Sequence, residues 1–212
     1  MNHLQIYKSF KKSPFKSIKI ESYFSVYENI FERFIDKPIV FIEIGVLNGG
    51  SLFMWRDFFG NKAKIIGVDL NPEAKRWQDY GFDIFIGDQS DPGFWNQVVK
   101  KYPQIDIVLD DGGHTYEQQI MTTEILKAYI KDDGLIVIED THTSYQNGFG
   151  FKCVSFLKYV QKKMDQLHYR LKILHKESTE KDIWNIQCFE SFVVFEIDRE
   201  KIKLKTIEVS NK

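Results

Sequence analysis

Two apolar segments that each end in a pair of acids constrain this chain more than any other feature. They are residues 107–109, followed by Asp110 and Asp111, and residues 135–138, followed by Glu139 and Asp140. Apolar side chains recur at helical spacing over residues 120–130 between them. A strand, a helix and a second strand of this length predict a βαβ unit, with parallel strands and a right-handed crossover.

If the two strands are neighbours, their carboxyl ends lie about 4.8 Å apart, and the acids crowd one edge of the sheet. Like charges at that distance raise each other's pKa or require a cation between them. A divalent ion with oxygen ligands meets that requirement. His114 follows Asp111 by three residues on the same loop. The alternative interpretation is that the acids cap helices and face solvent.

The composition is that of a soluble globular protein with one domain. The chain has 212 residues, 43% of them hydrophobic and 28% charged, and a net charge of −1. Without a basic excess we expect no nucleic-acid partner, and without a long apolar run we expect no membrane insertion and no secretory signal. Cys153 and Cys188 lack the spacing of a zinc site or a disulfide framework. These features predict a cytoplasmic protein.

The first twenty residues are rich in lysine and contain Pro14, which predicts a loose basic arm over residues 1–20. Apolar positions over residues 22–35 follow a helical stripe, so we expect a helix that packs on the sheet. A secondary interpretation is that Tyr23 and Tyr27 reach a ligand. One domain is then expected over residues 21–212, with its core at residues 39–197.

Three predicted strands, at residues 39–44, 64–70 and 82–86, end in turns suited to a nucleoside. The first turn carries Gly45 and Gly49 and runs into a helix near Ser51, where backbone amides favour an anionic group. Asp69 ends the second strand about 20 residues later, a position that suits ribose hydroxyls. Asp88 and Gln89 follow the third strand. The alternative role of Asp88 is turn or N-cap chemistry.

The C-terminal region predicts a helix at residues 154–167 and an antiparallel pairing of residues 171–173 with 189–197 at the sheet edge. Residues 198–212 are expected to add an edge strand or to fray. Together the segments predict an α/β fold. It is Rossmann-like, with a mostly parallel seven-stranded sheet, helices on both faces and an antiparallel strand near the edge.

The first turn lacks the GxGxxG spacing of dinucleotide binders and reads Glu43-x-Gly45-xxx-Gly49. In this the chain resembles the class I S-adenosylmethionine (SAM)-dependent methyltransferases. The motifs DDGGH at residues 110–114 and IEDTHTSY at residues 138–145 are similar to those of the metal-dependent macrolide-sugar O-methyltransferases. These are the mycinamicin and demethylmacrocin type, with their cephalosporin-hydroxylase-like relatives. The resemblance covers roughly residues 23–197.

The resemblance implies a role for each motif residue. SAM is expected to contact the first turn with its methionine end, Asp69 with its ribose, and Asp88 and Gln89 with its adenine side. Asp110 is the candidate for its amine. Mg²⁺ is expected on three acids, and His114 as general base. The residues implied for the methionine end are Glu43, Gly45, Gly49 and Ser51, and those implied for Mg²⁺ are Asp111, Glu139 and Asp140.

The function implied is O-methylation of a hydroxyl on a sugar, in a capsular or lipooligosaccharide polysaccharide or in a natural-product glycan. His142 stands where the macrolide group usually has Gln, and those enzymes carry an additional N-terminal domain. Both differences leave the acceptor open. Two alternatives are a nucleotide-binding oxidoreductase of similar fold and a non-catalytic SAM-fold module. We expect a homo-oligomer, because the aromatics of residues 23–34 and the Phe-rich ending of the chain need cover.

Overall fold

The computed structural model describes residues 1–170 and 178–203. Within these described residues the chain forms six α-helices and seven β-strands. The helices are α1 (Gln5–Lys12), α2 (Tyr23–Phe31), α3 (Gly50–Phe59), α4 (Pro92–Lys101), α5 (Tyr116–Leu126) and α6 (Phe156–His168). The strands are β1 (Val40–Ile44), β2 (Lys64–Asp69), β3 (Asp83–Ile86), β4 (Ile105–Asp110), β5 (Ile130–Ile138), β6 (Ile183–Phe189) and β7 (Phe192–Ile197).

The strands form one sheet in the order β3-β2-β1-β4-β5-β7-β6. The first five are parallel to one another, and β7 runs antiparallel to both β5 and β6. The predicted Rossmann-like fold is therefore confirmed. In the register of the central strands, Ile44 lies beside Asp110, and Asp110 lies beside Ile138. The loops after β1, β4 and β5 consequently emerge side by side.

Helices cover both faces of the sheet, each over its own apolar cluster. On one face Phe41 of β1 packs against Trp55 of α3, with ring centroids 5.0 Å apart. On the other face Trp95 and Phe156 are buried against the same strands. Each such side chain removed from water contributes about 1.5–3 kcal/mol. Within the described residues, every helix is too short or too polar to cross a membrane.

The N-terminal arm is not loose, which corrects the expectation for residues 1–20. Residues 5–12 form α1, and Ile6 is fully buried. The Ser9 hydroxyl donates to Asp57 of α3 over 2.7 Å, and Glu28 of α2 accepts from the amide of Ile6 over 2.9 Å. The many lysines obscured a short amphipathic stripe, whose apolar side is enough to dock the helix.

The aromatics of α2 are buried within the chain. Phe24, Tyr27 and Phe31 are at most 2% exposed, because α1 covers one side of the helix and the sheet covers the other. Their burial removes one of the two reasons for expecting a homo-oligomer, and the oligomeric state stays a prediction. Helix α2 instead carries tyrosines toward the carboxyl edge of the sheet.

Two element boundaries differ from the sequence predictions. Strand β5 begins at Ile130, five residues before the predicted strand, so Gly134 already pairs with Ile197 in the sheet. The predicted strand at residues 189–197 is two strands joined by a tight turn, in which Ser191 has a φ of 63°. β7 pairs with β6. Residues 171–173 and the end of the C-terminal segment lie outside the described residues.

Candidate active site

A cavity of about 260 Å³ opens at the carboxyl ends of β1, β2 and β4. Its wall includes six residues that the sequence singled out: Gly45, Asp69, Asp88, Gln89, Asp111 and His114. They come from loops after four different strands, so the parallel register of the sheet is what brings them together. Open α/β sheets bind ligands at this position.

The glycines of the first loop are required by close packing. Gly45 has a φ of 90°, and a Cβ there would lie 2.1 Å from the carbonyl oxygen of Asp111. Gly49 caps α3 with a φ of 72°, and a Cβ would lie 2.3 Å from the ring of Trp77. The first loop therefore packs between the loop after β4 and the ring of Trp77, and Gly45 lines the cavity.

Asp69 joins the first loop to the end of β2. Its Oδ2 accepts hydrogen bonds from the amides of Val46 and Leu47, over 2.9 and 3.0 Å, and its Oδ1 accepts from the amide of Asn71 over 2.8 Å. The carboxylate also lines the cavity. It therefore shapes the site whether or not it contacts a ligand directly.

Asp88 and Gln89 differ sharply although they are adjacent. Asp88 is exposed, and its Oδ1 accepts from the amide and hydroxyl of Ser90, which lowers the pKa of the Asp88 carboxyl. Gln89 is 5% exposed and donates to both oxygens of Asp110 over 2.9 and 2.8 Å. Its side-chain carbonyl accepts from the amide of Gly113 over 3.2 Å. Gln89 thus fixes the loop after β4.

Four residues expected to contact the cofactor do not line the cavity: Glu43, Gly49, Ser51 and Asp110. Glu43 is fully buried and accepts from Ser51 Oγ over 2.8 Å and from Trp55 Nε1 over 3.0 Å. Burial raises the pKa of Glu43 to about 7, against these two bonds and the nearby Lys19. Asp110 is likewise buried beneath Gln89. Glu43 and Asp110 are at most 1% exposed, so they hold the residues around them and do not face the cavity.

Asp111, His114 and Asp140 meet at one end of the cavity. His114 Nε2 lies 3.8 Å from Asp111 Oδ1 and 3.5 Å from Asp140 Oδ2. One ligand atom from each residue fits within a group whose members lie within 4.8 Å of one another. All three side chains are 22–23% exposed. Two carboxylates that keep a free oxygen beside an imidazole fit a small divalent cation.

His114 and Asp140 both have left-handed backbone conformations, with φ values of 56° and 54°. Such conformations cost of the order of 1–3 kcal/mol outside glycine and cluster at functional sites. The Thr143 hydroxyl donates to the carbonyl of His114 over 3.1 Å and fixes the loop. The strained backbone aims both side chains at the same point.

Glu139 is predicted as a metal ligand but has a different environment. It is 1% exposed. Its Oε1 accepts from the Tyr27 hydroxyl over 2.5 Å, and its Oε2 accepts from the ammonium of Lys19 over 3.2 Å. The same ammonium lies 2.6 Å from Asp111 Oδ2. Sequence reasoning missed Lys19, because one lysine among many in a polar segment carries no local signal.

The tyrosines of α2 complete the acidic end. The Tyr23 hydroxyl donates to Asp140 Oδ1 over 2.5 Å. Burial, and after it the charge of Glu139, raises the pKa of Tyr27 well above its usual range. The secondary interpretation that these tyrosines reach the site therefore agrees with their positions. His142 is exposed beside Asp140, with Nδ1 3.9 Å from Asp140 Oδ1 and 2.5 Å from the Ser191 hydroxyl.

Comparison with known proteins agrees with this arrangement. Residues 42–141 match the family described as a methyltransferase domain. Demethylmacrocin O-methyltransferase of Streptomyces fradiae is 33% identical over 131 residues, which are 58% of this chain and 33% of that protein. The 8-demethyl-8-(2-methoxy-alpha-L-rhamnosyl)-tetracenomycin-C 3'-O-methyltransferase of Streptomyces olivaceus is 31% identical over 157 residues, 68% of this chain and 40% of that protein. The chain spans about a third to two fifths of the length of these curated relatives.

Among solved structures, the MycE methyltransferase of mycinamycin biosynthesis, in complex with Mg, SAH and mycinamycin VI, superposes with a TM-score of 0.82. The identity is 24%, and the match covers 92% of this chain and 54% of that chain. At this identity the likeness shows the fold. Residues 42–141 thus match a methyltransferase domain, and the chain resembles the class I SAM-dependent methyltransferases, including the demethylmacrocin and rhamnosyl-tetracenomycin O-methyltransferases.

Proposed function

We propose that this protein is a SAM-dependent, Mg²⁺-dependent O-methyltransferase that acts on a sugar hydroxyl. One observation carries the proposal: Asp111 and His114, at the acidic end, line the same cavity as Gly45 and Asp69. A methyl donor held by the first loop and an acceptor held at the acids would then face each other inside one cleft. Positioning of this kind contributes several kcal/mol to catalysis.

The cofactor half of the cavity suits SAM. The backbone of the Gly45 loop lies open to the methionine end, while Asp69, Asp88 and Gln89 follow along the wall toward the adenine side. Asp69 already accepts three backbone amides, so a ribose would use its remaining lone pairs. Glu43, Gly49, Ser51 and Asp110 would support this half from behind by holding the two loops in place.

The acidic half suits the acceptor. When bound, SAM would supply an electrophilic methyl group, and Mg²⁺ on Asp111 and Asp140 would lower the pKa of a nearby hydroxyl. His114 would accept the proton through Nε2, which faces both carboxylates. Asp140, 3.5 Å away, would stabilise the imidazolium that results. Tyr23 orients Asp140 from the other side.

A sugar acceptor is favoured by the named relatives, which modify glycosides of macrolides and tetracenomycins. Within that class we propose a polysaccharide substituent, capsular or lipooligosaccharide, or a natural-product glycan, methylated in the cytoplasm. The His142 side chain is 45% exposed beside Asp140. Its position suits a role in choosing the acceptor.

The test combines cofactor binding with turnover. Calorimetry should show that SAM and its demethylated product bind, whereas NAD does not. Label from methyl-labelled SAM should then appear on a sugar hydroxyl in a panel of glycosides and polysaccharide fragments. Binding of NAD in place of SAM would favour the oxidoreductase alternative. SAM binding without transfer to any member of the panel, with Mg²⁺ present, would favour the non-catalytic module.

A further inference from the structure

A lysine is buried among the acids of the proposed active site. The Lys19 side chain is 3% exposed, and its ammonium lies 2.6 Å from Asp111 Oδ2 and 3.2 Å from Glu139 Oε2. The ammonium therefore pairs with two carboxylates inside the site.

The segment that delivers Lys19 is packed tightly. The Ser13 hydroxyl donates to the carbonyl of Gly50, at the start of α3, over 2.8 Å. The ring of Phe15 lies edge-on to Trp77 with centroids 4.7 Å apart. The carbonyl of Lys16 approaches Gly50 so closely that a Cβ there would lie 2.6 Å away. These contacts fix residues 13–19 across the N-terminus of α3, directly before the acidic cluster.

Lys19 and Tyr27 together occupy both oxygens of Glu139. Asp111 keeps Oδ1 and Asp140 keeps Oδ2, and these two atoms are the ones that face His114. Glu139 is nearly inaccessible, whereas Asp111 and Asp140 are about one fifth exposed. The free ligand atoms of the cluster therefore come from two acids, although three acids are present.

A divalent ion does not require all three acids of the cluster as ligands. Mg²⁺ commonly binds through one or two carboxylates and keeps its other positions for water and substrate oxygens.

We propose that Lys19 is a positioning residue that acts as a fixed internal cation. Its ammonium binds Glu139, so Glu139 is not a ligand of the divalent ion. The ligands are then Asp111, Asp140, water and the acceptor. This inference rests on the proposed metal-dependent reaction and departs from the three-acid ligand set that the sequence motifs imply. Lys19 then orients Asp111 through Oδ2 while Oδ1 binds the ion.

The test measures ion binding directly and does not depend on turnover. Mn²⁺ is titrated into the protein with the demethylated product of SAM present, and the signal of free Mn²⁺ is followed by electron paramagnetic resonance. Glu139→Gln should change the dissociation constant less than about threefold, because its oxygens do not bind the ion. Asp140→Asn, which is of matched size and charge change, should weaken binding at least about tenfold.

Lys19→Met gives the second arm. Removing Lys19 frees the Glu139 carboxylate to join the ligands of the ion, so Mn²⁺ should bind about tenfold more tightly. Adding Glu139→Gln to this variant should return the affinity to within about threefold of the parent. Lys16→Met, on the same segment but with its side chain outside the cluster, is the control and should leave the affinity unchanged.

Equal weakening of Mn²⁺ binding by Glu139→Gln and Asp140→Asn would overturn the proposal, because the ion would then displace Lys19 from Glu139. No Mn²⁺ binding by the parent protein would also overturn it. If Lys19→Met fails to fold, the comparison of Glu139→Gln with Asp140→Asn still decides. Failure of the proposed function would look different: SAM would not bind, or no methyl group would be transferred under any metal condition.

Discussion

The carboxylate of Asp69 accepts hydrogen bonds from the amide of Val46, 2.9 Å away, at the start of the glycine loop. The contact ties the end of β2 to the loop that follows β1, across neighbouring parallel strands. The same carboxylate faces the cavity. One side chain therefore holds the loop closed and offers an acceptor to whatever the loop binds.

Asp69→Ala should weaken SAM binding by about 1.5–3 kcal/mol, which is about tenfold to 150-fold in the dissociation constant. Both the proposed ribose contacts and the support of the loop are lost. Calorimetry with SAM or its demethylated product measures the change. Asp79→Ala removes an exposed carboxylate outside this cavity and should bind as the parent does. An unchanged affinity of Asp69→Ala would contradict the role assigned to Asp69.

The fold was predictable because its signals are local. Each central strand is a nearly continuous apolar run, as strands covered on both faces are, and each helix between them shows its own stripe. Boundaries were less certain where a segment is ambiguous. Residues 130–134 mix apolar and charged side chains, and their place in β5 depends on pairing with Ile105 and β7.

The acidic end was predictable in part. Asp111, His114 and Asp140 follow from motif order and from the parallel register, which brings the loops after β4 and β5 together. The surroundings of Glu139 depend on Lys19, which is 120 residues away in sequence. No local pattern encodes such a contact, because it forms only when the N-terminal segment packs across α3.

Removal of divalent ions should abolish methyl transfer and leave SAM binding nearly intact. The proposed ion ligands Asp111 and Asp140 lie at the acceptor end, whereas Gly45 and Asp69 lie along the cofactor half. Turnover and calorimetry are measured before and after exhaustive chelation, and added Mg²⁺ should restore turnover. An enzyme that stays active after chelation would refute the metal assignment but not the methyltransferase assignment.

His114→Ala should retain SAM and ion binding but lose turnover by about 10²–10⁴-fold, the usual loss for a general base. Its Nε2 faces the point where the acceptor hydroxyl is expected. His142→Ala is the matched control, because it removes a second imidazole, which is exposed and contacts Ser191. Its effect should fall mainly on KM for the acceptor. If His114→Ala instead loses ion binding, His114 is a ligand and not the base.

The last prediction concerns the stability of the fold far from the active site. Glu180 is 3% exposed, and its Oε2 accepts from Lys163 over 2.6 Å and from Lys127 over 3.2 Å. Its Oε1 accepts from the amide of Ile183 over 3.2 Å at the start of β6. The carboxylate therefore joins α6, the end of α5 and the edge hairpin.

Burial alone would raise the pKa of Glu180, but the hydrogen bond and charge of Lys163 and the charge of Lys127 outweigh it and lower the pKa to about 2. A carboxyl whose folded pKa is depressed stabilises the fold fully above its unfolded pKa, near 4.3. That contribution is lost as pH falls from there toward 2. Acid should therefore weaken this corner of the molecule.

Glu180→Gln should lower the free energy of unfolding at pH 7 by about 3 kcal/mol. This value is at the lower end of the cost of breaking a buried ion pair, because Lys163 keeps Glu124 as a partner in the variant. Urea denaturation at pH 7 and at pH 3 measures the free energy of unfolding of both proteins. The difference between parent and variant should be smaller at pH 3, because protonation of Glu180 weakens the same ion pairs in the parent. Glu190→Gln, exposed in the turn between β6 and β7, should change stability by less than about 0.5 kcal/mol. A difference for Glu180→Gln that is equal at both pH values would show that its stabilisation is not carried by the ionised carboxylate.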